Sequence, residues 1–315
     1  MSKKNEIPEV DIVVDEKAGV IREVKPEKTR SKKGHERRVN TSIYVVLVIM
    51  SIVWLAPFVF LVFQSFRSYL TESGGMVDYL LPKVWSLDNY KWLIFDEKSH
   101  FLRWYGNTLI IAVFCAVIQT VIVLSVSYAL SRLRFKGRKL IMNVVLVLGL
   151  FPGFLTMITL YFLLKQLGLT QSGAVPGLIL IYVASSGMGY YISKGFFDTI
   201  PKSLDESARI DGATRFQVFK KIIMPLAKPI VIYTILMAFM APWGDYVFAS
   251  YVAFGSEPNY NVAVGLYRWV NVNDYQGYFT RFCAGGVLVA VPITALFMAL
   301  QKYYVEGVTG GAVKG

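Results

Sequence analysis

Side chains able to do chemistry are few in this chain and poorly placed for it. There are two histidines, His35 and His100, both in charged sequence, and two cysteines, Cys115 and Cys283, both in apolar sequence. No Ser/His/Asp or metal-ligand grouping is evident, so no catalytic residue, metal or cofactor is expected in this chain. The phosphate-cradling pattern G-x-x-x-x-G-K-[S/T] is also missing, so the chain has no such loop with which to hold ATP. One stretch does stand apart from its neighbours, "SLDESARIDGATRFQVFKKIIMPL" at 203–226. It is charged and amphipathic, and it lies between two long apolar runs.

The stretch reads as two short helices, about 204–212 and 215–224. Ser203 with Glu206 three residues on has the form of a capping box, and Thr214 with Gln217 repeats it. Gly212 sits between them, where a helix C-terminus favours a residue free to take positive φ. A helix of ~10 residues is marginal alone in water, so the pair must pack on something. Its apolar positions, among them Leu204, Ala208, Ile210, Phe216 and Ile223, are too many for a free loop. Two readings fit: a rigid knob that docks into a soluble partner, or a surface pair lying on lipid headgroups.

The segments that must position this stretch are apolar. Of the 315 residues, 55% are hydrophobic and 17% charged, against a usual charged share of about 25%. Six stretches, 41–66, 104–131, 140–164, 172–193, 229–250 and 282–301, are free or nearly free of charge. Each is long enough to cross ~30 Å of hydrocarbon as a helix. The expected fold is therefore all-α and integral to the membrane, with six spans. Residues 1–39, crowded with both charges and poor in large apolar side chains, read as a disordered cytoplasmic extension before the 40–315 membrane domain. They lack the apolar core of a signal peptide.

Basic residues set the orientation. The segment before the first span, the loop 132–139 with five basic residues, and the loop 194–228 with seven basic and four acidic residues all fall on one side if there are six spans. Both termini are then cytoplasmic. The net charge of +12 is explained by this bias and by attraction to anionic lipid, with no nucleic acid partner. The opposite surface comprises loops 67–103 and 251–281, both rich in aromatic rings that suit an interfacial belt, a docking partner or stacked sugar. Proline and glycine interrupt the spans at Pro57, Pro152-Gly153, Pro176, Pro242 and Pro292. Asp245 either faces a cavity or ends a helix in the headgroup zone.

The 203–226 stretch resembles the "EAA" loop of bacterial ABC-importer membrane subunits. The matching residues are Glu206-Ser207-Ala208, then Gly212, then Ile222-Ile223-Met224-Pro225. Ser207 and Met224 depart mildly from the pattern. "ARIDGAT" (208–214) is the form common in carbohydrate importers. "APWGDYVFA" (241–249) and the tail "QKYYVEGVTGGAVKG" (301–315) are similar to the smaller permease subunit of maltose/maltodextrin-type systems. The resemblance implies a multi-pass permease of the bacterial plasma membrane that moves a sugar, maltodextrin-like or another oligosaccharide, using ATP bound by a partner subunit. It also implies three partners: an ABC ATPase dimer, a homologous second permease and an extracytoplasmic sugar-binding protein. Glu206, Ser207, Ala208, Asp211, Gly212 and Pro225 would couple to the ATPase, in a loop of about 200–226. Gly307, Thr309, Gly310 and Gly311 of the tail (about 303–315) would reach it as well. Trp243, Asp245 and Tyr246 are candidates for the substrate path. Glu206 is equally readable as a helix cap. The competing class is an ion-gradient-driven transporter or channel, which usually carries ionisable residues at membrane depth.

Overall fold

The structure is a computed structural model that describes residues 12–15, 20–23, 30–68, 80–151, 153–271 and 275–312. It divides into two units, Met1–Val59 and Phe60–Gly315. In the first, Ile12–Asp15 (β1) pairs antiparallel with Val20–Glu23 (β2), with Val14 opposite Ile21. Both are short runs rich in β-branched residues, which suit a pleated ladder. Arg30–Ser65 (α1) follows and ends in the second unit. Within the 1–39 extension the described residues are this strand pair and the start of α1; the rest of it lies outside the described residues.

The second unit is helical. A short α2, Asp88–Phe95, precedes α3, Phe101–Arg132. Next come α4, Arg138–Gly149, and α5, Gly153–Gln166; then α6, Ala174–Ala184, and α7, Gly187–Thr199. The charged stretch forms α8, Ser203–Ile210, then a rod made of α9 (Arg215–Gln217), a π-helical turn (Val218–Ile223) and α10 (Met224–Leu226). Lys228–Gly244 (α11), Val247–Val252 (α12), Val262–Asn271 (α13) and Tyr275–Ala312 (α14) complete the unit.

Among the described residues, four helical segments are long and apolar enough to cross a membrane: Val39–Ser65, Phe101–Arg132, Gln171–Thr199 and Tyr278–Tyr303. A fifth candidate is the pair Arg215–Leu226 and Lys228–Gly244, bent by 82°. The expected third span, 140–164, is divided. α4 has 12 residues and α5 has 14, so neither alone reaches ~30 Å at about 1.5 Å per residue. The division falls at a Pro-Gly pair; Pro152 itself lies outside the described residues. The expected fifth span is interrupted too, because α11 ends at Gly244 and α12 is a separate short helix.

α3 is the central element and packs against α6, α7, α11 and α13, while α11 packs on α14. Three apolar clusters follow its length. Trp92, Phe101, Trp104, Phe239, Trp243 and Trp269 surround its N-terminal end. Ile111 and Cys115 meet Leu164, Leu178, Phe248 and Val252 at its middle. Leu124 joins Phe197, Ile200, Ala208, Val218 and Ile223 toward its C-terminal end. Gly265 lets α13 lie against α3: a Cβ there would stand 1.9 Å from the Trp104 ring.

A polar knot centres on Asn89 of α2. Asn89 donates to the carbonyls of Ser65 at 3.0 Å and Arg67 at 2.7 Å, and it accepts from the Thr280 hydroxyl at 3.0 Å. It thereby ties the end of α1 to α2 and α14.

Candidate functional site

The α8–α9 hairpin is built by local rules. α8 ends in a Schellman turn: the Ala213 N–H donates to the Ala208 carbonyl at 2.9 Å and the Gly212 N–H to the Arg209 carbonyl at 3.1 Å. Gly212 takes φ +84°, as the turn requires. Two residues later Thr214 caps the next helix. Its hydroxyl accepts from the Gln217 N–H at 3.3 Å, and the Gln217 side-chain oxygen accepts from the Thr214 N–H at 2.8 Å. The expected Ser203–Glu206 capping box does not form. Lys202 holds the N-cap position, in helical geometry and without a side-chain cap, and Ser203 lies inside the helix. The main-chain N–H groups of Asp205 and Glu206 reach the Lys202 carbonyl instead, at 3.0 and 3.2 Å. Glu206 is therefore no cap; its side chain is exposed.

The rod runs as one piece to Leu226. Pro225 has no N–H and would crowd a regular turn before it; the wider π-turn at Val218–Ile223 precedes it and leaves room. The 82° bend then falls at Ala227 (φ −90°, ψ 11°), between Pro225 and Pro229.

Arg132, the last residue of α3, fixes the hairpin in place. Its Nη2 donates to the carbonyls of Phe197 and Ile200, both at 2.7 Å, and so satisfies the C-terminal end of α7. Its Nη1 lies 3.3 Å from the Asp205 carboxylate on α8, with the two side chains 3% and 17% exposed. Beside this pair the Ser131 hydroxyl donates to Asp198 at 2.6 Å. The Tyr128 ring stands 4.7 Å from Phe219 of the rod and edge-on to Phe197 at 6.2 Å. Ala208, Val218 and Ile223 face inward to the third apolar cluster. One helix end, one buried ion pair and one apolar floor thus join α3, α7 and the hairpin.

What the hairpin offers outward is its tip. Ile210 is 86% exposed and Phe216 68% exposed, on either side of the Gly212 turn. Ser207 and Asp211 are exposed with them, while Ala208 is buried. A cavity of about 360 Å³ opens at the base of the hairpin, lined by Arg132, Asp205, Glu206, Arg209 and Arg215. It pairs no nucleophile with a base, and among the described residues no cluster of three His, Cys, Asp or Glu could hold a metal. The exposed apolar pair at the tip, beside this charged cavity, has the make-up of a docking surface. Sequence reasoning found the turn and the Thr214 cap; it counted Ile210 and Phe216 only among the apolar positions and did not single out the tip they form. It missed Arg132 and Asp205 as a pair, since Arg132 counted there only as one basic residue of a topogenic loop.

The other expected positions are separate from the hairpin. Gly307, Thr309, Gly310 and Gly311 lie on the helical backbone at the end of α14. Trp243 is buried against Tyr105 at 5.2 Å and Phe239 at 5.9 Å. Asp245 is a structural bracket: it accepts from the Tyr182 hydroxyl of α6 at 2.5 Å and from the Phe248 N–H of α12 at 3.0 Å. Asn261 reinforces the bracket by donating to the Asp245 carbonyl at 2.7 Å and the Pro242 carbonyl at 3.2 Å. The Tyr246 ring lies tilted against Tyr267, with ring centres 3.9 Å apart, and, with Tyr260 and Arg268, edges a cavity of about 220 Å³.

Comparison with known proteins gives consistent matches. The sequence model of a family described as "Binding-protein-dependent transport system inner membrane component" matches residues 121–310. The galactooligosaccharides transport system permease protein of Bacillus subtilis is 36% identical over 275 residues, which is 86% of this chain and 94% of that one. The maltodextrin transport system permease protein of the same organism is 37% identical over 273 residues, 86% of this chain and 95% of its own. Among solved structures, a chain of a bacterial ABC transporter involved in the import of the acidic polysaccharide alginate superposes with a TM-score of 0.70 at 25% identity. That match covers 89% of this chain and 100% of the other.

Proposed function

The chain belongs to the family of binding-protein-dependent transport system inner membrane components, and from that premise we propose that it is the translocating subunit of an ATP-driven importer of maltodextrin-like oligosaccharides. It is a multi-pass protein of the bacterial cell membrane. The proposed topology has six crossings: α1, α3, α4 with α5, α6 with α7, α11 with α12, and α14. Both termini and the hairpin then face the cytoplasm, where the basic residues of 132–139 and 194–228 favour them. The sugar class rests on relatives named for galactooligosaccharides and maltodextrin.

The observation that carries the reading is the hairpin. Burying an Ile or Phe side chain is worth about 1.5–3 kcal/mol, so two such residues held in water on a rigid mount favour a partner that covers them. That partner is an ATPase subunit, which this chain's lack of a phosphate-binding loop also calls for. Movement of the docked ATPase is passed through Glu206, Ser207, Ala208, Asp211, Gly212 and Pro225 into α8. Arg132 and Asp205 carry it on to α3 and α7. The helical end around Gly307–Gly311 makes a second contact with the ATPase dimer. A homologous permease and an extracytoplasmic sugar-binding protein complete the assembly, the latter docking on the aromatic-rich outer segments.

Reconstitution tests this directly. Proteoliposomes holding this chain, its second permease and the ATPase dimer are expected to accumulate labelled maltodextrin only with binding protein outside and ATP inside. Uptake driven by an ion gradient without ATP would reverse the assignment.

A further inference from the structure

Beside the C-terminal end of α3 lies a cavity of about 930 Å³, between the turn 133–137, the start of α4 and the end of α7; it shares Arg134 and Arg138 with the cavity at the base of the hairpin. Arg134, Arg138, Lys139 and Lys194 line it, with Asp198 as the one carboxylate. Asp198 is already matched by Lys194, at 2.5 Å, and by the Ser131 hydroxyl. Four cations against one carboxylate leave about three positive charges in excess, and no ion pair is formed by Arg134 or Lys139 among the described residues. Gly137, with φ +93°, starts α4 toward the same cavity, and no side chain caps that helix. Its first N–H groups add partial positive charge where the arginines already converge. The remaining wall is mostly apolar, with Asn143 its one uncharged polar amide: Phe135 (44% exposed), Leu140 (67%) and Tyr191 (44%) stand open beside the charges.

Such a pairing of a cationic mouth with an open apolar wall suits an amphiphile with an anionic head. We infer that this cavity seats the headgroup phosphate of an anionic phospholipid of the cytoplasmic leaflet, with its acyl chains along Leu140 and Tyr191. The inference rests on the membrane topology proposed above, which puts residues 133–139 at the cytoplasmic surface. A soluble anion would find the same charges but no use for the apolar wall, and long-chain lipid gains from both. Occupancy would brace the α3–α4 turn against α7, the helix whose C-terminal end Arg132 also holds.

Native mass spectrometry of the purified complex, titrated with phosphatidylglycerol or phosphatidylcholine, tests the site. Phosphatidylglycerol is expected to bind preferentially. The triple variant Arg134→Gln/Arg138→Gln/Lys139→Gln is expected to weaken that binding about 100-fold, from roughly a factor of five per basic residue. Should the triple variant fail to assemble, Lys139→Gln alone is expected to weaken binding about fivefold. Inorganic phosphate in excess should leave the lipid bound. Equal binding of the two lipids, unchanged affinity in the variants, or full displacement by inorganic phosphate overturns the inference. Lipid binding is read without sugar or ATP, so loss of the transport reading would leave this result standing, and the reverse.

Discussion

Removing either partner of the Arg132–Asp205 pair should show how the hairpin is held. Asp205→Asn keeps the shape and leaves Arg132 its two carbonyl acceptors, so only the charge attraction is lost. With Arg132 nearly buried and Asp205 17% exposed, that loss is about 1–2 kcal/mol, below the ~3–5 kcal/mol of a fully buried pair. Arg132→Gln costs more, about 3–4 kcal/mol, because the Phe197 and Ile200 carbonyls lose their donor and Asp205 is left without its cation. In the double variant the two costs should overlap, giving a coupling of about 1–2 kcal/mol. Equilibrium unfolding of the purified chain in mixed detergent micelles measures all four corners of the cycle. Additive single effects, with coupling below about 0.3 kcal/mol, would refute the idea that this pair joins α3 to α8.

Other expectations follow from single residues. Thr214→Ala should cost about 1 kcal/mol in the same assay, whereas Ser203→Ala should be near neutral, because Ser203 caps nothing; equal costs contradict the observed helix starts. Gly212→Ala adds a Cβ that meets nothing within 4 Å, so only the positive φ opposes it, at about 1–2 kcal/mol. Gly212→Pro cannot reach φ +84° at all and should abolish uptake and ATPase stimulation while the protein still inserts in the membrane. Gly265→Ala drives a methyl into the Trp104 ring and should destabilise by about 1–3 kcal/mol or more, read as a lower unfolding midpoint. Tyr182→Phe removes the hydroxyl that Asp245 accepts from, costing about 1–3 kcal/mol, with uptake lowered only as far as stability is.

Much of this was legible in the sequence because it is local. Gly212 between two helix signals and Thr214 three residues before Gln217 determine their own geometry within a few residues, and both form as expected. The apolar runs likewise declared a membrane protein. Ser203–Glu206 misled because a capping box is defined by where the helix begins, and tertiary packing of α8 starts it one residue earlier, after Lys202. The interruptions within 140–164 and 229–250 were marked in the sequence by Pro152-Gly153 and by Pro242 with Gly244; hydropathy alone, which counts apolar residues, does not register the breaks after Gly149 and Gly244. For Asp245 the sequence left two readings open, a cavity-facing group or a helix end; α11 does end at Gly244, but the partners Tyr182 and Asn261 are 63 and 16 residues away, and nothing in spacing announces them. The Arg132–Asp205 pair was hidden for the same reason.

The central claim is that the α8–α9 tip seats in a nucleotide-hydrolysing partner. Both native cysteines are buried, so a single cysteine at Ile210 or Phe216 reports from the tip alone. In the assembled, transporting complex, a short cross-linker at either position is predicted to capture the ATPase subunit, with a yield that changes on ATP binding. If both positions remain uncaptured while the complex transports sugar, or capture some other subunit, the docking account is wrong.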